Sequence, residues 1–265
     1  SHWYWFVICI GIGLGIAYYV SVRKLPVYKM ESLITIKDDQ NPLFTNSNTS
    51  LTFNWGGQSN KTSSTITTLK TRTHNEKVVK HLQFYLDYMV EGQYQMEDAY
   101  GKTPFTIKLK EDSYQLKGQL MKIVLLDEYF FEMLFEIQEE PRYLSYYNYK
   151  TEEGFTEKFE PGVYKEKFEI GKPVDSKFFS GQLERIDGKK NETKAFYIIF
   201  QDFNSVVKRY QGINVGVQEQ GSSIIKLGLV GENKNKMVDY LNATTRILSK
   251  TQLDQKNLFA TKTIK

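Results

Sequence analysis

The chain has 265 residues, with 35 Lys and Arg against 31 Asp and Glu, a formal net charge of +4 and one cysteine. A balance so close to neutral carries no electrostatic footprint for nucleic acid, and a lone cysteine excludes a disulfide framework. Tyr (18) and Phe (17) are abundant and Pro (6) is scarce, the composition of a folded, β-rich body rather than a disordered one.

The first element is a membrane span. Trp3 to Val20 reads WYWFVICIGIGLGIAYYV without a charged residue, and the run stops at Arg23-Lys24-Leu25-Pro26. About 20 helical residues at ~1.5 Å each cover the ~30 Å hydrocarbon core. Trp3, Tyr4 and Trp5 at one end and Tyr18 and Tyr19 at the other fall where interfacial aromatic belts belong. A cleaved signal peptide would carry a basic n-region and a small-residue cleavage site, and neither is present. The lone Cys9 lies inside the span, and the remainder is polar, with a whole-chain mean hydropathy of −0.46. The chain therefore reads as a soluble body tethered to a bilayer. Because it starts at Ser1 rather than Met, further residues are expected ahead of it.

After Pro26, Tyr28–Lys37 reads as a strand ending at Asp38-Asp39. Residues 40–63, rich in Asn, Ser, Thr and Gly, read as a long polar loop of the kind found at functional or assembly surfaces. Ser64 to Gln83 takes a helical period, with Ile66, Leu69, Val78, Val79 and Leu82 apolar and Lys70, Arg72, Glu76, Lys77 and Lys80 opposite. From Tyr85 to Glu192 short strand candidates follow one another, including Phe105–Lys110, Leu120–Leu126 and Tyr129–Ile137. Turn clusters such as Glu140-Pro141, Pro161-Gly162 and Asp187-Gly188 separate them. Such spacing suggests a small sandwich or barrel. Ala195–Gln201 is a further strand, Asp202 opens a helix, and Ile213–Val217 and Ser223–Val230 are a strand pair. Asn233 caps a last helix through Met237, Leu241, Ile247 and Leu248 that reaches toward Lys265 without a stop signal, so the chain reads as part of something longer.

Motifs that would carry chemistry are incomplete. Gly56-Gly57-Gln58-Ser59-Asn60-Lys61-Thr62 imitates the end of a phosphate loop, but Asn60 replaces the glycine before the lysine and no apolar strand precedes it. Gly11, Gly13 and Gly15 lie in the apolar span, where they serve helix packing. His74 and His81 are two turns apart, with no cysteine to complete a zinc set. No nucleophile elbow or zinc-protease signature occurs. The Tyr143, Tyr146, Tyr147 and Tyr149 cluster reads as half-buried strand positions or a glycan-facing aromatic patch in preference to phosphorylation sites. No catalytic, cofactor or metal site is expected, and no cofactor. The candidate contact residues are Lys70, Arg72, Lys77 and Lys80, at a subunit seam, against glycan, or on a plainly solvated face.

Several segments, taken in order, resemble the polysaccharide co-polymerase family of Wzz-type chain-length determinants and their Wzc-type relatives. The span followed by Tyr28–Lys37 resembles that family's first membrane helix and first periplasmic strand. Thr68-Leu69-Lys70-Thr71-Arg72-Thr73 with Val78-Val79-Lys80-His81-Leu82 is similar to its recurrent helix. Asp98-Ala99-Tyr100-Gly101-Lys102-Thr103-Pro104-Phe105 resembles the entry to the β insert of the kinase-linked branch. Ser222–Leu227, Asp239-Tyr240-Leu241-Asn242, Asp254–Asn257 and Ala260–Ile264 resemble the return strand and the start of the long helix. Two departures stand out: Ala99 occupies a usual leucine position, and no proline follows the glycine of Gly231-Glu232-Asn233.

The resemblance implies an α+β fold. Its parts are a transmembrane helix (1–22), a Wzz-like α/β periplasmic base (23–104 and 193–265) and a β-rich, sandwich-like insert (105–192), with the start of a long helix at the end. It further implies a bacterial inner-membrane protein with its soluble part in the periplasm. Such a protein forms a ring-shaped homo-oligomer, commonly an octamer, controlling the length and export of surface or capsular polysaccharide. The implied partners are further copies of itself, a polysaccharide polymerase, an outer-membrane export channel, the polysaccharide chain and membrane lipid, with no nucleic acid. In the Wzc-type branch a cytoplasmic tyrosine autokinase follows, outside these residues; the residues shown are not expected to be an enzyme. The competing expectations are the sensor domain of a membrane signalling receptor and the periplasmic adaptor of an efflux or secretion system.

Overall fold

The computed structural model describes residues 3–36, 57–110, 112–188, 195–219 and 223–263 as a mixed α+β protein. Helix α1 (Trp3–Val22) is 20 residues long, has a mean hydropathy of 2.0 and buries none of its side chains against the rest of the chain. It is long and apolar enough to cross a membrane.

Strand β1 (Tyr28–Thr35) follows within six residues, its burial alternating along its whole length as one face turns inward. It pairs antiparallel with β15 (Ile224–Gly231), which also pairs with β14 (Asn214–Val217), giving a three-stranded sheet with β15 in the centre. Helix α2 (Gly57–Lys70) covers β14 and β15, while α5 (Lys234–Thr263) lies against β1 and β15 and packs on α3 (Arg72–Leu82), which in turn meets α4 (Phe203–Gln211). The 30 residues of α5 make a rod about 45 Å long.

The helical period over Ser64–Gln83 is carried by two helices, not one. Thr71 breaks them with an extended backbone (φ −67°, ψ 148°), and its Oγ1 accepts from the His74 N–H at 3.3 Å while donating to the Thr68 carbonyl at 2.7 Å. A threonine hydroxyl that satisfies an orphan N–H starts a new helix more readily than it continues an old one. The α2 helix also begins at Gly57, inside the stretch read as a loop; residues 37–56 lie outside the described residues.

A nine-stranded sheet forms most of the rest, in the order β10 (Gly162–Glu169), β7 (Phe130–Ile137), β6 (Met121–Leu125), β13 (Phe196–Phe200), β5 (Tyr114–Lys117), β8 (Arg142–Asn148) and β9 (Gly154–Phe159). From it β2 (Leu86–Glu91) branches at β13 and carries β3 (Met96–Asp98). A smaller sheet contains β11 (Pro173–Asp175), β12 (Ser180–Arg185) and β4 (Phe105–Leu109). The two meet through aromatic rings: Phe105 of β4 is edge-on to Phe196 of β13 at 5.5 Å, and Phe178 is edge-on to Phe135 of β7 at 5.2 Å. Edge-to-face pairs of this kind add to the area they bury. Strands β2 and β13, which flank the 105–192 segment, pair with each other from Phe200↔Leu86 to Phe196↔Val90. Strand β13 also pairs with β6 and β5 inside that segment. One hydrogen-bonded sheet therefore crosses both ends of it.

Candidate functional site

The four lysines and arginines singled out from the sequence lie along α2 and α3 in two different settings. Lys70, the last residue of α2, and Lys77 are exposed and form no ion pair among the described residues. Arg72 is held within the chain: its Nε lies 2.6 Å from Glu76 Oε1, and its Nη2 donates to Asn204 Oδ1 of α4 at 2.5 Å. Lys80 pairs with Glu152 at 2.8 Å and sits 5.0 Å from the centre of the Phe203 ring.

Lys80 also lies on the rim of a cleft of about 310 Å³ between α3 and the β-rich part. Lys110 and Lys150 join it there, paired with Asp175 at 3.2 Å and Asp112 at 2.5 Å. The floor holds Tyr85 and Tyr149, stacked with ring centres 3.8 Å apart, and the amide of Gln115. Gln115 is spent on structure, bonding to both the carbonyl and the N–H of Ser180 and so fastening β5 to β12. Burial pushes the Tyr149 hydroxyl well above its ordinary range, and it donates to the Gln201 carbonyl at 2.7 Å. With every ammonium group matched by a carboxylate, the cleft presents hydrogen-bonding groups and aromatic edges without a field of one sign.

A second polar cluster lies at the start of α5, where the three-stranded sheet meets the large one. Asn233 caps the helix, its Oδ1 accepting from the Lys236 N–H at 3.1 Å. Its Nδ2 donates to Asp98 Oδ1 at 2.9 Å and to the Tyr100 carbonyl at 3.0 Å. The ammonium of Lys236 contacts Asp87 of β2 directly and lies 3.4 Å from Asp98 of β3. Tyr100 donates to Asp239 at 2.8 Å, and burial, together with that carboxylate, raises its hydroxyl above the ordinary range. A lysine one turn into a helix looks like a solvated residue in sequence. Only the approach of β2 and β3 makes Lys236 the centre of this cluster, so the sequence reading missed it, although it had picked out Asn233 as a cap.

Of the two histidines read as a pair, His74 has a structural position and His81 is exposed. His74 is buried, its Nε2 2.7 Å from Thr244 Oγ1 of α5, and burial with the nearby Lys77 charge lowers it to about 4. Among the described residues no group of three or more His, Cys, Asp and Glu side chains converges as metal ligands would. In the tyrosine cluster Tyr146 and Tyr149 are buried, Tyr147 is half-buried and Tyr143 stands exposed.

No known protein family matches this chain, and no curated protein matches it either.

Proposed function

We propose that this chain is the anchored, extracytoplasmic part of a polysaccharide co-polymerase, a scaffold that governs the length and export of a surface polysaccharide by assembling into a ring. One observation supports the reading most. Strand β1 leaves the apolar helix at Tyr28, and its antiparallel partner β15 returns to the same level at Gly231, as the register Tyr28↔Gly231 records. The capped helix α5 then starts beside the exit of α1 and runs about 45 Å away from it. A rod rising from a membrane-proximal sheet suits side-by-side packing of copies around an axis normal to the bilayer. The cleft beside Lys80, with its three ammonium groups matched by carboxylates and Gln115 engaged in structure, suits a scaffold better than an enzyme.

The reading places the body in the bacterial periplasm and α1 in the inner membrane, with a polysaccharide polymerase and an export channel as partners. It is tested by deleting the gene in its host and resolving the surface polysaccharide by size on a gel. Loss of the modal chain length, restored by the intact gene, is expected. An unchanged size distribution would count against the reading.

A further inference from the structure

The β2–β3 hairpin ends in Gly92-Gln93-Tyr94-Gln95-Met96, a tip without a charged side chain. Of the carboxylates on either side, Glu91 accepts a hydrogen bond from Tyr197, and Glu97 folds back over Gly92. The turn is closed by the Gly92 N–H donating to the Gln95 carbonyl at 3.0 Å. Tyr94 projects from this tight tip with 51 % of its surface exposed.

The hairpin is tied to the end of α1. Gln95 Nε2 donates to the Arg23 carbonyl at 3.0 Å, satisfying one of the acceptors that a helix end leaves open. The Arg23 guanidinium lies 3.9 Å from the centre of the Tyr19 ring and 6.0 Å from that of Tyr94. One cation thus bridges an aromatic residue of the span and an aromatic residue of the soluble body. Tyr19 occupies the last turn of α1, the level at which tyrosines collect in the polar layer of a bilayer. That layer is roughly 5–7 Å deep on each side. Tyr94, on the same guanidinium, has its ring centre within about 10 Å of that of Tyr19.

We propose that the tip of the β2–β3 hairpin is a second membrane contact, with Tyr94 seated in the lipid headgroup layer beside Tyr19 and Arg23 facing a lipid phosphate. The occupant is lipid because the patch is continuous with the span, uncharged at its tip and aromatic, with a cation placed for a phosphate. The inference rests on α1 crossing the membrane and not on the co-polymerase reading. Its consequence is orientational: a body attached at both α1 and β2 cannot swivel freely about the Leu25-Pro26 linker.

The test is spin-label accessibility of the full chain reconstituted in vesicles of phosphatidylcholine with phosphatidylglycerol. Nitroxides are placed on native Cys9, and on Gln93→Cys and Tyr143→Cys in a Cys9→Ser background. The oxygen-to-nickel-chelate accessibility ratio is read at each. The ratio at 93 should be several-fold above that at 143, which stands in water, and below that at Cys9. Adding Tyr94→Ser should lower the ratio at 93 at least two-fold. Equal ratios at 93 and 143, with Cys9 in lipid, would overturn the hairpin contact while leaving the span intact. A label at 93 shielded from both reagents would mark a protein contact and overturn it too. A water-like Cys9 would overturn the span and the proposal together.

Discussion

Lys236 of α5 and Asp87 of β2 form a direct ion pair with side chains only 9 % and 11 % exposed, joining the long helix to the nine-stranded sheet. Asp98, on the neighbouring strand β3, completes the cluster. Removing one partner from such a site leaves an uncompensated buried charge. Lys236→Met should therefore destabilise the protein by about 3–5 kcal/mol, read by urea unfolding of the detergent-solubilised chain. The double change Lys236→Met with Asp87→Leu should recover much of that loss, because it removes both members of the pair and leaves Asp98 with the hydrogen bonds from Asn233 and the Tyr100 N–H. A single variant as stable as wild type would show that the pair contributes nothing to the joint.

His74 predicts a pH dependence. Its folded value, lowered to about 4 from an ordinary 6.5, means that the unfolded chain binds a proton between those limits that the folded chain excludes. The stabilisation is complete above pH 6.5, declines as pH falls and is gone below about 4. It amounts to roughly 2–3 kcal/mol at most. Unfolding midpoints measured from pH 7 to 4 should fall for wild type, and His74→Gln should flatten the part due to this residue. Lys77→Glu should raise the proton affinity of folded His74, so that the decline still begins near pH 6.5 but ends at a higher pH and is smaller. An identical slope in His74→Gln would assign the dependence elsewhere.

Tyr240 tests how the helices are locked. Its hydroxyl, fully buried, donates to Asn75 Oδ1, while the Asn75 amide donates to the carbonyls of Leu69 at 3.0 Å and Thr71 at 2.8 Å. The ring stacks on Tyr210 with centres 4.4 Å apart. Tyr240→Phe keeps the stacking and leaves the Asn75 carbonyl without that donor, so a loss of about 1–3 kcal/mol is expected by thermal or urea unfolding. A neutral Tyr240→Phe would mean that another donor replaces the hydroxyl.

The exposed pair Lys70 and Lys77, changed together at a pH above the titration of His74, is a cleaner probe of a subunit seam than Arg72. Arg72→Glu would set a carboxylate beside Glu76 one turn away, an intrachain cost of a few tenths of a kcal/mol that obscures any effect on assembly. Lys70→Glu with Lys77→Glu disturbs no ion pair among the described residues. It should weaken assembly, since like charges across a seam cost several kcal/mol. Light scattering of the detergent-solubilised variant at low and high salt reads the change. Assembly unaltered at either ionic strength would mark the face as solvated.

Elements with a strong local signal were legible in the sequence. The apolar run of α1, the alternation of β1 and the capping side chains of Asp202 and Asn233 act within a few residues of themselves, so periodicity and cap chemistry reveal them. The break at Thr71 was not, because the apolar stripe continues across it and the hydroxyl that ends one helix also suits its interior. Nor was the continuity of the large sheet: β13 pairs with three strands from much earlier in the chain, β2, β5 and β6, and alternation shows that a strand exists without naming its partners. Arg72 and Lys80 read as free surface cations because Asn204 and Glu152 are far from them in sequence.

Assembly into a ring is read by native mass spectrometry of the full-length protein released from membranes in mild detergent. A single closed oligomer of many copies, near eight, with no more than a minor monomer peak, is expected. A monomer as the dominant species, at concentrations where the protein remains folded, would contradict it.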